Sequence, residues 1–330
     1  MAFRSSSTGI LAGYACALGA TMIWSGNLVV ARGLSAEIGP ATLSLCRWSI
    51  AAAAILPFAC SALKRQRREI RANIRYLFLV AFLGVTVFNT MIYTAGHSTT
   101  AVRMALIAVF SPVWIVLMAR IFLADPLTRV RIAGLVLAAS GVAALSLGGQ
   151  PPEALGTGLN AGDIVMLAAT LVFATYTILV RRKPEELEPV TLLSASFTLG
   201  VLMLVPLAAL ELSLAPPPRF NAGVIGAILY IGLGASLLSY FLWNRAVAVI
   251  GPSNAGAVYY SLPLFSGLEA WLLLGENIGP VHVLSGVLIV SGIFMATRQP
   301  PPVQPAAGLS RSVAVCPGRK KSGMRGSADE

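Results

Sequence analysis

Charged residues are scarce in this sequence: Asp, Glu, Lys and Arg make up 11% of its 330 residues. Soluble globular domains carry about a quarter charged residues, which cover the surface that faces water. A chain that is 56% hydrophobic, with a mean hydropathy of +0.79, has too few charges to cover such a surface. The composition therefore argues against an ordinary soluble domain and indicates lipid as the solvent.

Acidic residues are fewer still, 13 against 24 Lys and Arg, so the net charge is +11. The basic residues stand in short clusters between apolar runs and form no continuous face, which favours membrane topology over nucleic-acid binding. The four cysteines show no metal-ligand spacing and no disulfide framework. Because nucleotide-loop and nucleophile motifs are also missing, we expect no cofactor, no metal and no enzymatic activity.

Ten predominantly apolar runs are long enough to cross a membrane, since a spanning helix needs about 20 residues. Their length and lack of period-two alternation argue against strands, so an all-α integral membrane protein with ten transmembrane helices is predicted. The first run also resembles a signal peptide, but it has a counterpart in the second half of the chain. The runs are 9–31, 41–62, 76–95, 99–119, 130–148, 162–180, 190–210, 222–243, 253–274 and 280–297.

The clusters of Lys and Arg predict the orientation. With residues 1–8 in the cytoplasm, 20 of the 24 Lys and Arg residues fall on the cytoplasmic side, as the positive-inside rule requires. Both termini are then cytoplasmic, in a membrane of the bacterial inner-membrane type. Residues 149–161 form an external linker. The tail 299–330, rich in Pro, Gly, Ser and basic residues, is predicted to be disordered.

The sequence contains an internal repeat, of residues 9–148 by residues 162–298. With an offset of 149, Arg32 aligns with Arg181 and Pro40 with Pro189. Beyond a two-residue gap the offset becomes 151, and further pairs align: Ala95 with Ala246, Pro112 with Pro263, Asp125 with Glu276 and Gly141 with Gly292. Because each half has five crossings, an odd number, the two repeats are predicted to be inverted in the membrane. Inverted repeats are typical of secondary transporters, whose substrate site lies between the halves.

Each half contains several short motifs. In the first half they are Trp24 to Asn27, Arg47, Tyr93 to Ala95 and Ser111-Pro112; in the second they are Gly162-Asp163, Tyr240 to Ala246, Gly251-Pro252, Leu262 to Phe265 and Gly275-Glu276. With these motifs the chain resembles the drug/metabolite transporter superfamily, in particular its EamA-type branch, over about residues 10–297. The resemblance implies a ten-helix fold with a central cavity and transport of small metabolites, often export of amino acids or related solutes. Arg103 and Glu269 depart from the usual family pattern.

The clearest ionisable residues inside the predicted helices are Arg47, Arg103 and Glu269. A charge in lipid costs about 2.5–3.5 kcal/mol on insertion scales, so such residues normally face a partner or a wet cavity. All three are placed in the outer third of the bilayer, where Glu269 is expected to pair with an arginine or to share its cavity. A gate, a proton-coupling carboxylate or a site for a charged solute are the functional interpretations; a structural ion pair or snorkelling is the alternative.

Several aromatic and amide side chains are also candidates for the substrate pathway. Trp24 and Asn27 lie one helical turn apart and share a face, where they either line a cavity or pack between helices. The remaining candidates lie along a pathway or in an aromatic belt at the membrane surface. They are Tyr93, Tyr176, Tyr240, Trp243 and Tyr260.

The sequence therefore predicts a secondary transporter that exports a small metabolite, an amino acid or related solute or a drug-like compound, driven by protons or a counter-solute. Small residues four apart, such as Gly134 and Ala138, suit close helix packing or a homodimer contact. The alternative is a membrane protein without transport activity, either an accessory protein or a membrane enzyme. An accessory protein gives no reason for an inverted duplication, and an enzyme would need a cluster of polar catalytic residues at one membrane face, which the sequence does not show.

Overall fold

The computed structural model describes residues 7–147, 159–215, 217–274 and 279–298, and these contain helices and no strand. Nine helices in this part of the chain are long and apolar enough to cross a membrane. The ninth predicted run is present as two shorter helices. The predicted cytoplasmic segment up to residue 6, most of the predicted linker, Glu276 and the tail from residue 299 lie outside the described residues.

Ten helical segments correspond to the ten predicted runs. Prolines stand at the first position of the second, seventh and tenth, where the missing N–H costs nothing. The segments are α1 (Ser7–Gly33), α2 (Pro40–Arg65), α3 (Ile74–Ser98), α4 (Ala101–Ala108 and Phe110–Leu123), α5 (Arg129–Leu147), α6 (Ala161–Arg181), α7 (Pro189–Leu214), α8 (Ala222–Ile250), α9 (Pro252–Tyr259 and Leu262–Leu274) and α10 (Pro280–Thr297).

Helices α4 and α9 are interrupted at equivalent positions. The break in α4 falls at Val109 and that in α9 begins at Tyr260, a separation of 151 residues, which is the offset of the repeat. Each break precedes an aligned proline by three residues, Pro112 in α4 and Pro263 in α9. Proline removes one N–H from the helical ladder and clashes with the preceding turn, so the same local chemistry accounts for both breaks.

Helices α3 and α8 share a second irregularity. A π-helical stretch covers Phe82–Val87 in α3 and Tyr230–Leu238 in α8. The wider turn leaves backbone carbonyls without their usual helical partners and is common at functional sites. Because α3 and α8 are equivalent in the repeat, the two π-helical stretches form a related pair at the centre of the bundle.

The bundle has one strongly basic end. There Arg65 contacts Glu188 at 2.6 Å, and Gln66 Nε2 donates to the Glu186 carbonyl at 2.8 Å. Arg182 donates to the carbonyl of Phe122, so the end of α4 lies at the same end. The segments 64–75 and 181–183 therefore lie together, as the predicted orientation requires.

At the opposite end Glu211, in the last turn of α7, accepts from the N–H groups of Ala41 and Thr42 at 2.9 Å. A carboxylate at a helix N-terminus is favourable because it accepts from free N–H groups and opposes the helix dipole. Here Arg32 also donates to the Gly96 carbonyl at 2.9 Å. Its repeat equivalent Arg181 donates to the Val247 carbonyl at 3.4 Å and to the adjacent Ala248 carbonyl at 2.6 Å, at the basic end.

Helix neighbours obey the same inverted relation. Helix α1 packs on α8 as α6 packs on α3, and α2–α7, α4–α9 and α5–α10 are pairs of equivalent helices in contact. Gly134 and Gly292 bring the backbones of α5 and α10 together, so the small residues of α5 serve packing within the chain. Large apolar side chains such as Phe58, Leu202 and Val283 remain exposed on the outer faces, which suits contact with lipid.

Candidate functional site

Arg47 lies on α2 at the contact between the two repeats, and its side chain is fully buried. Its Nε donates to Ser236 Oγ at 2.6 Å, in the π-helical stretch of α8. Its Nη1 donates to Asn89 Oδ1 at 2.9 Å and to Asn27 Oδ1 at 3.2 Å, and it also contacts the hydroxyl of Tyr93. Helices α1, α2, α3 and α8 thus converge on one guanidinium group.

The partners of Arg47 are all neutral. The ion pairs in the described part of the chain are Arg65–Glu188, Arg103–Asp163 and Arg131–Asp125. Arg47 belongs to none of them, so no carboxylate of the described residues lies within 4 Å of its nitrogens. The Nη2 atom of Arg47 is buried and has no hydrogen-bond partner, and the same holds for Nε1 of Trp48. A buried donor left unpaired costs about 1–3 kcal/mol, and more when it is charged. The cluster therefore holds an uncompensated positive charge with unused donors.

Aromatic rings surround this charge. The guanidinium lies 5.2 Å from the ring centroid of Trp48 and 5.7 Å from that of Tyr93, a cation–π arrangement. Trp24 packs against Phe173, Tyr240 and Trp243 at centroid distances of 5.3–5.7 Å. We call the following residues the central cluster: Trp24, Asn27, Arg47, Trp48, Asn89, Tyr93, Phe173, Tyr176, Ser236, Tyr240, Trp243, Asn244 and Tyr259.

The central cluster itself follows the repeat. Offsets of 149 and 151 relate Asn27 to Tyr176 and Tyr93 to Asn244. Tyr93 donates to Asn27 Oδ1 at 3.1 Å, and Tyr176 donates to Asn244 Oδ1 at 2.9 Å. The same Tyr–Asn hydrogen bond is therefore made twice, with the two residue types exchanged between the helices.

Two ring pairs join equivalent residues directly. Trp24 meets Phe173 edge-on at 5.5 Å, and Trp48 meets Phe197 at 4.8 Å. Each pair is related by the 149-residue offset, so both pairs lie near the pseudo-twofold axis.

Two backbone carbonyls of the π-helical stretches are also equivalent in the repeat and accept hydrogen bonds from aromatic side chains. Tyr240 donates to the Gly84 carbonyl at 2.6 Å, and Trp24 Nε1 donates to the equivalent Ala235 carbonyl at 2.8 Å.

The central cluster is closed to solvent. Each of its members is less than 9% exposed, and its aromatic rings contact one another. Packed rings of this size leave no path for a metabolite unless the helices around them move. The structure thus presents the site in a closed arrangement.

Arg103 lies away from the central cluster, at the end of the bundle opposite the basic end. It forms a salt bridge with Asp163, whose side chain is 1% exposed. Asp163 also accepts from Thr99 Oγ1 at 2.6 Å and closes a capping box with Asn160 at the start of α6. Asp163 therefore both caps α6 and serves as the counter-ion of Arg103, and it ties α4 to α6.

A second buried ion pair lies at the basic end. Arg131 Nη1 contacts Asp125 Oδ2 at 3.3 Å, and both side chains are at most 2% exposed. Asp125 also accepts from Ser253, and Arg131 Nη2 donates to Asn254 Oδ1 at 3.2 Å. This pair ties the segment just after α4 and the first turn of α5 to the start of α9, so the first and second repeats are joined at this end too.

Glu269 does not form the expected ion pair with an arginine. Ser25 Oγ donates to Glu269 Oε1 at 2.6 Å, and the carboxylate is half-buried between α1 and α9. Within the described residues the salt-bridge partner of Arg103 is Asp163, while Arg47 has neutral partners. The expected pairing does not form because similar depth in the membrane does not bring helices into contact, and α4 packs on α6. The alternative, a shared cavity, stays a prediction.

Seven of the predicted pathway residues meet in the central cluster: Trp24, Asn27, Arg47, Tyr93, Tyr176, Tyr240 and Trp243. Tyr260 lies instead in a separate core cluster with Val116 and Ile289. Sequence reasoning missed Asn89 and Asn244 as individual candidates. Asn89 stands one turn before Tyr93, and Asn244 is the repeat equivalent of Tyr93, so helical spacing and the repeat were the signals available for them.

These observations define a class: an all-α, multi-pass membrane protein of two inverted repeats around a shared polar and aromatic cluster. The sequence matches the EamA-like transporter family over residues 11–147 and 160–298, and the chain belongs to that family. This match confirms the resemblance to the drug/metabolite transporter superfamily and the repeated all-α membrane fold.

Named relatives agree with the family. The chain is 22% identical over 284 residues to the uncharacterized transporter YyaM of Bacillus subtilis, covering 86% of this chain and 93% of the relative. It is 26% identical over 266 residues to a probable terminal-alkyne amino-acid exporter of Streptantibioticus cattleyicolor, covering 79% and 85%. A solved crystal structure shares the fold with a TM-score of 0.69 at 20% identity, covering 89% of this chain and 97% of that one. Membrane transport is the general function these matches support.

Proposed function

We propose that this protein is a secondary transporter that moves a small metabolite across the inner membrane by alternating access, in the direction of export. The observation that carries the proposal is the central cluster, which is built from both inverted repeats and related to itself by the repeat. Two inverted halves can exchange conformations, so that a site on their pseudo-twofold axis opens first to one side and then to the other.

Two ion pairs with buried carboxylates support this mechanism. Arg103–Asp163 joins α4 to α6 at one end of the bundle, and Arg131–Asp125 joins α4 and α5 to α9 at the other. Helix α4 therefore carries an ion pair at each end of the bundle. In the proposed cycle one ion pair breaks while the other remains formed, and the helices bend at the breaks at Val109 and Tyr260.

Glu269 is the proposed coupling carboxylate. It is half-buried, it is bound to a serine rather than to a cation, and it lies against α1 near the Trp24 end of the central cluster. A carboxylate in such a place can exchange a proton between the two arrangements of α1 and α9. Proton coupling or exchange with a counter-solute is thus the proposed energy source, and the chain is proposed not to be an enzyme.

The substrate class follows from the relatives and the cluster. One relative is named as an amino-acid exporter, so amino acids and related solutes are the first candidates and drug-like compounds the second. Both termini are proposed to be cytoplasmic, because the basic end of the bundle carries the segments 64–75 and 181–183. A homodimer remains a prediction.

A counterflow assay tests the function. Purified protein in liposomes loaded with an unlabelled amino acid or cationic drug should accumulate the labelled compound transiently. Liposomes without protein are the control. If no compound in a broad panel shows counterflow, while the protein elutes as a folded species, the transport proposal is wrong.

A further inference from the structure

Arg47 breaks the symmetry of the central cluster. The repeat offset of 149 places Ser196 at the equivalent position in the second half. Ser196 Oγ donates to the Leu193 carbonyl of its own helix at 3.0 Å and takes no part in the cluster. The two Tyr–Asn pairs match across the axis, whereas the positive charge is present on one side alone. A purely structural network built on the repeat needs no such charge.

The unpaired atoms of the cluster are donors. Arg47 Nη2 and Trp48 Nε1 are both buried without partners, and the Trp48 ring lies 5.2 Å from the guanidinium carbon. Nη1 of Arg47 is hydrogen-bonded to Asn27, Asn89 and Tyr93, and Nε is hydrogen-bonded to Ser236. Nη2 is therefore the guanidinium nitrogen that is available to donate to a ligand. Free donors beside an uncompensated cation are complementary to an anionic oxygen, and a guanidinium fork matches a carboxylate best.

We propose that Arg47 binds the carboxylate of the transported solute, so that this transporter selects small solutes with one carboxylate and an apolar body. The proposal rests on the proposed function and narrows its substrate class. One cation in the cluster suits one negative charge, because the buried Arg131 and the partly buried Arg103 are held by Asp125 and Asp163. The rings of Trp24, Phe173, Trp243 and Tyr259 contact one another at centroid distances of 5.3–6.2 Å, and they would line the space for the apolar body once the surrounding helices part.

Binding to the full-length protein in nanodiscs tests the proposal without requiring transport. Three probes share one phenyl body: 3-phenylpropionate, its neutral amide, and the cation phenethylamine. We expect the carboxylate to bind roughly 10- to 100-fold more tightly than the amide, the range for one charge-assisted hydrogen-bonded contact. Equal binding of carboxylate and amide, or tighter binding of the amine, overturns the proposal. This comparison needs only the wild-type protein.

Variants then assign the preference to Arg47. Arg47→Gln should remove the preference for carboxylate over amide, and Arg47→Lys should keep part of it because the charge remains. Ser196→Ala, at the equivalent position, should bind the three probes as wild type does. A preference that survives in folded Arg47→Gln overturns the assignment. If Arg47→Gln does not fold, Arg47→Lys decides: a preference as large as that of the wild type, or a reduction no greater than that in Ser196→Ala, overturns the assignment.

The outcomes separate this proposal from the proposed function. Counterflow of neutral or cationic solutes, with no advantage for carboxylates, leaves the transporter intact and removes the role of Arg47. Arg47-dependent carboxylate binding without counterflow of any bound probe keeps the binding site and removes the transport proposal.

Discussion

Arg47 Nε donates to Ser236 Oγ at 2.6 Å, and this bond links α2 of the first repeat to the π-helical stretch of the second. Ser236 Oγ donates in turn to the Ile231 carbonyl five residues earlier, the spacing of a π-turn. The buried charge and the helical irregularity are therefore parts of one arrangement. Movement of α8 relative to α2 would change the surroundings of Arg47 directly, which couples the site to the contact between the halves.

Removal of the Ser236 hydroxyl should weaken that link. Ser236→Ala leaves a charged donor without its acceptor, so we expect a loss of about 1–3 kcal/mol in the free energy of unfolding. Ser239→Ala is a matched control, because Ser239 lies on the same helix with a buried hydroxyl that has no partner. Unfolding in mixed micelles measures both. Equal stability of the two variants would contradict this account.

The Arg103–Asp163 pair should matter far more than the Arg65–Glu188 pair. Asp163 is 1% exposed, whereas the side chains of Arg65 and Glu188 are 61% and 39% exposed. Removing one partner of a buried pair costs about 3–5 kcal/mol, and removing one partner of an exposed pair costs about 0–1 kcal/mol. Asp163→Asn and Glu188→Gln, compared by unfolding, check the contrast. Similar losses would show that burial is not what gives the first pair its strength.

Glu269→Gln should flatten the pH dependence of transport. The substitution keeps the shape and a hydrogen bond acceptor for Ser25 but can no longer exchange a proton. Glu185→Gln is the control, because Glu185 is exposed in the loop before α7. Counterflow and net transport measured across a pH series test the prediction. An unchanged pH profile in Glu269→Gln would remove the coupling role.

Gly292→Ala should disrupt the close approach of α5 and α10. A Cβ there would meet the backbone of Gly134 and Ala138, which cannot move aside as a side chain can. Overpacking of this kind costs about 1–3 kcal/mol. Gly226→Ala on α8 is the control, because its Cβ would meet nothing within 4 Å. Thermal unfolding should separate the two, and a stable Gly292→Ala protein would show that the helices can part.

Cysteine labelling in a cysteine-free background tests the orientation. Single cysteines replacing Arg67 and Arg182 should react with an impermeant reagent from the same side of the membrane, and one replacing Arg219 from the other. The reason is that segments 64–75 and 181–183 share the basic end, whereas the loop of Arg219, whose N–H donates to the Glu37 carbonyl at 3.0 Å, lies opposite. Labelling of Arg67 and Arg182 positions from opposite sides would break the inverted topology.

The amino-acid sequence by itself determined the helical, membrane-spanning class, the duplication and the inverted relation of the halves. These properties depend on local chemistry: the length of apolar runs, the distribution of Lys and Arg, and aligned prolines such as Pro112 and Pro263. The same local chemistry accounts for the paired breaks in α4 and α9. Even so, the π-helical stretches were not predicted, because no single residue type marks them.

The tertiary structure decided which side chains meet. From depth alone Arg103 had Glu269 as a plausible partner, but the contact of α4 with α6 brings it to Asp163. Likewise Arg47 acquires its partners from three other helices, at separations of up to 189 residues. Hydropathy specifies how far a residue lies along a helix; the rotation of that helix and its choice of neighbours depend on side-chain packing across the whole bundle.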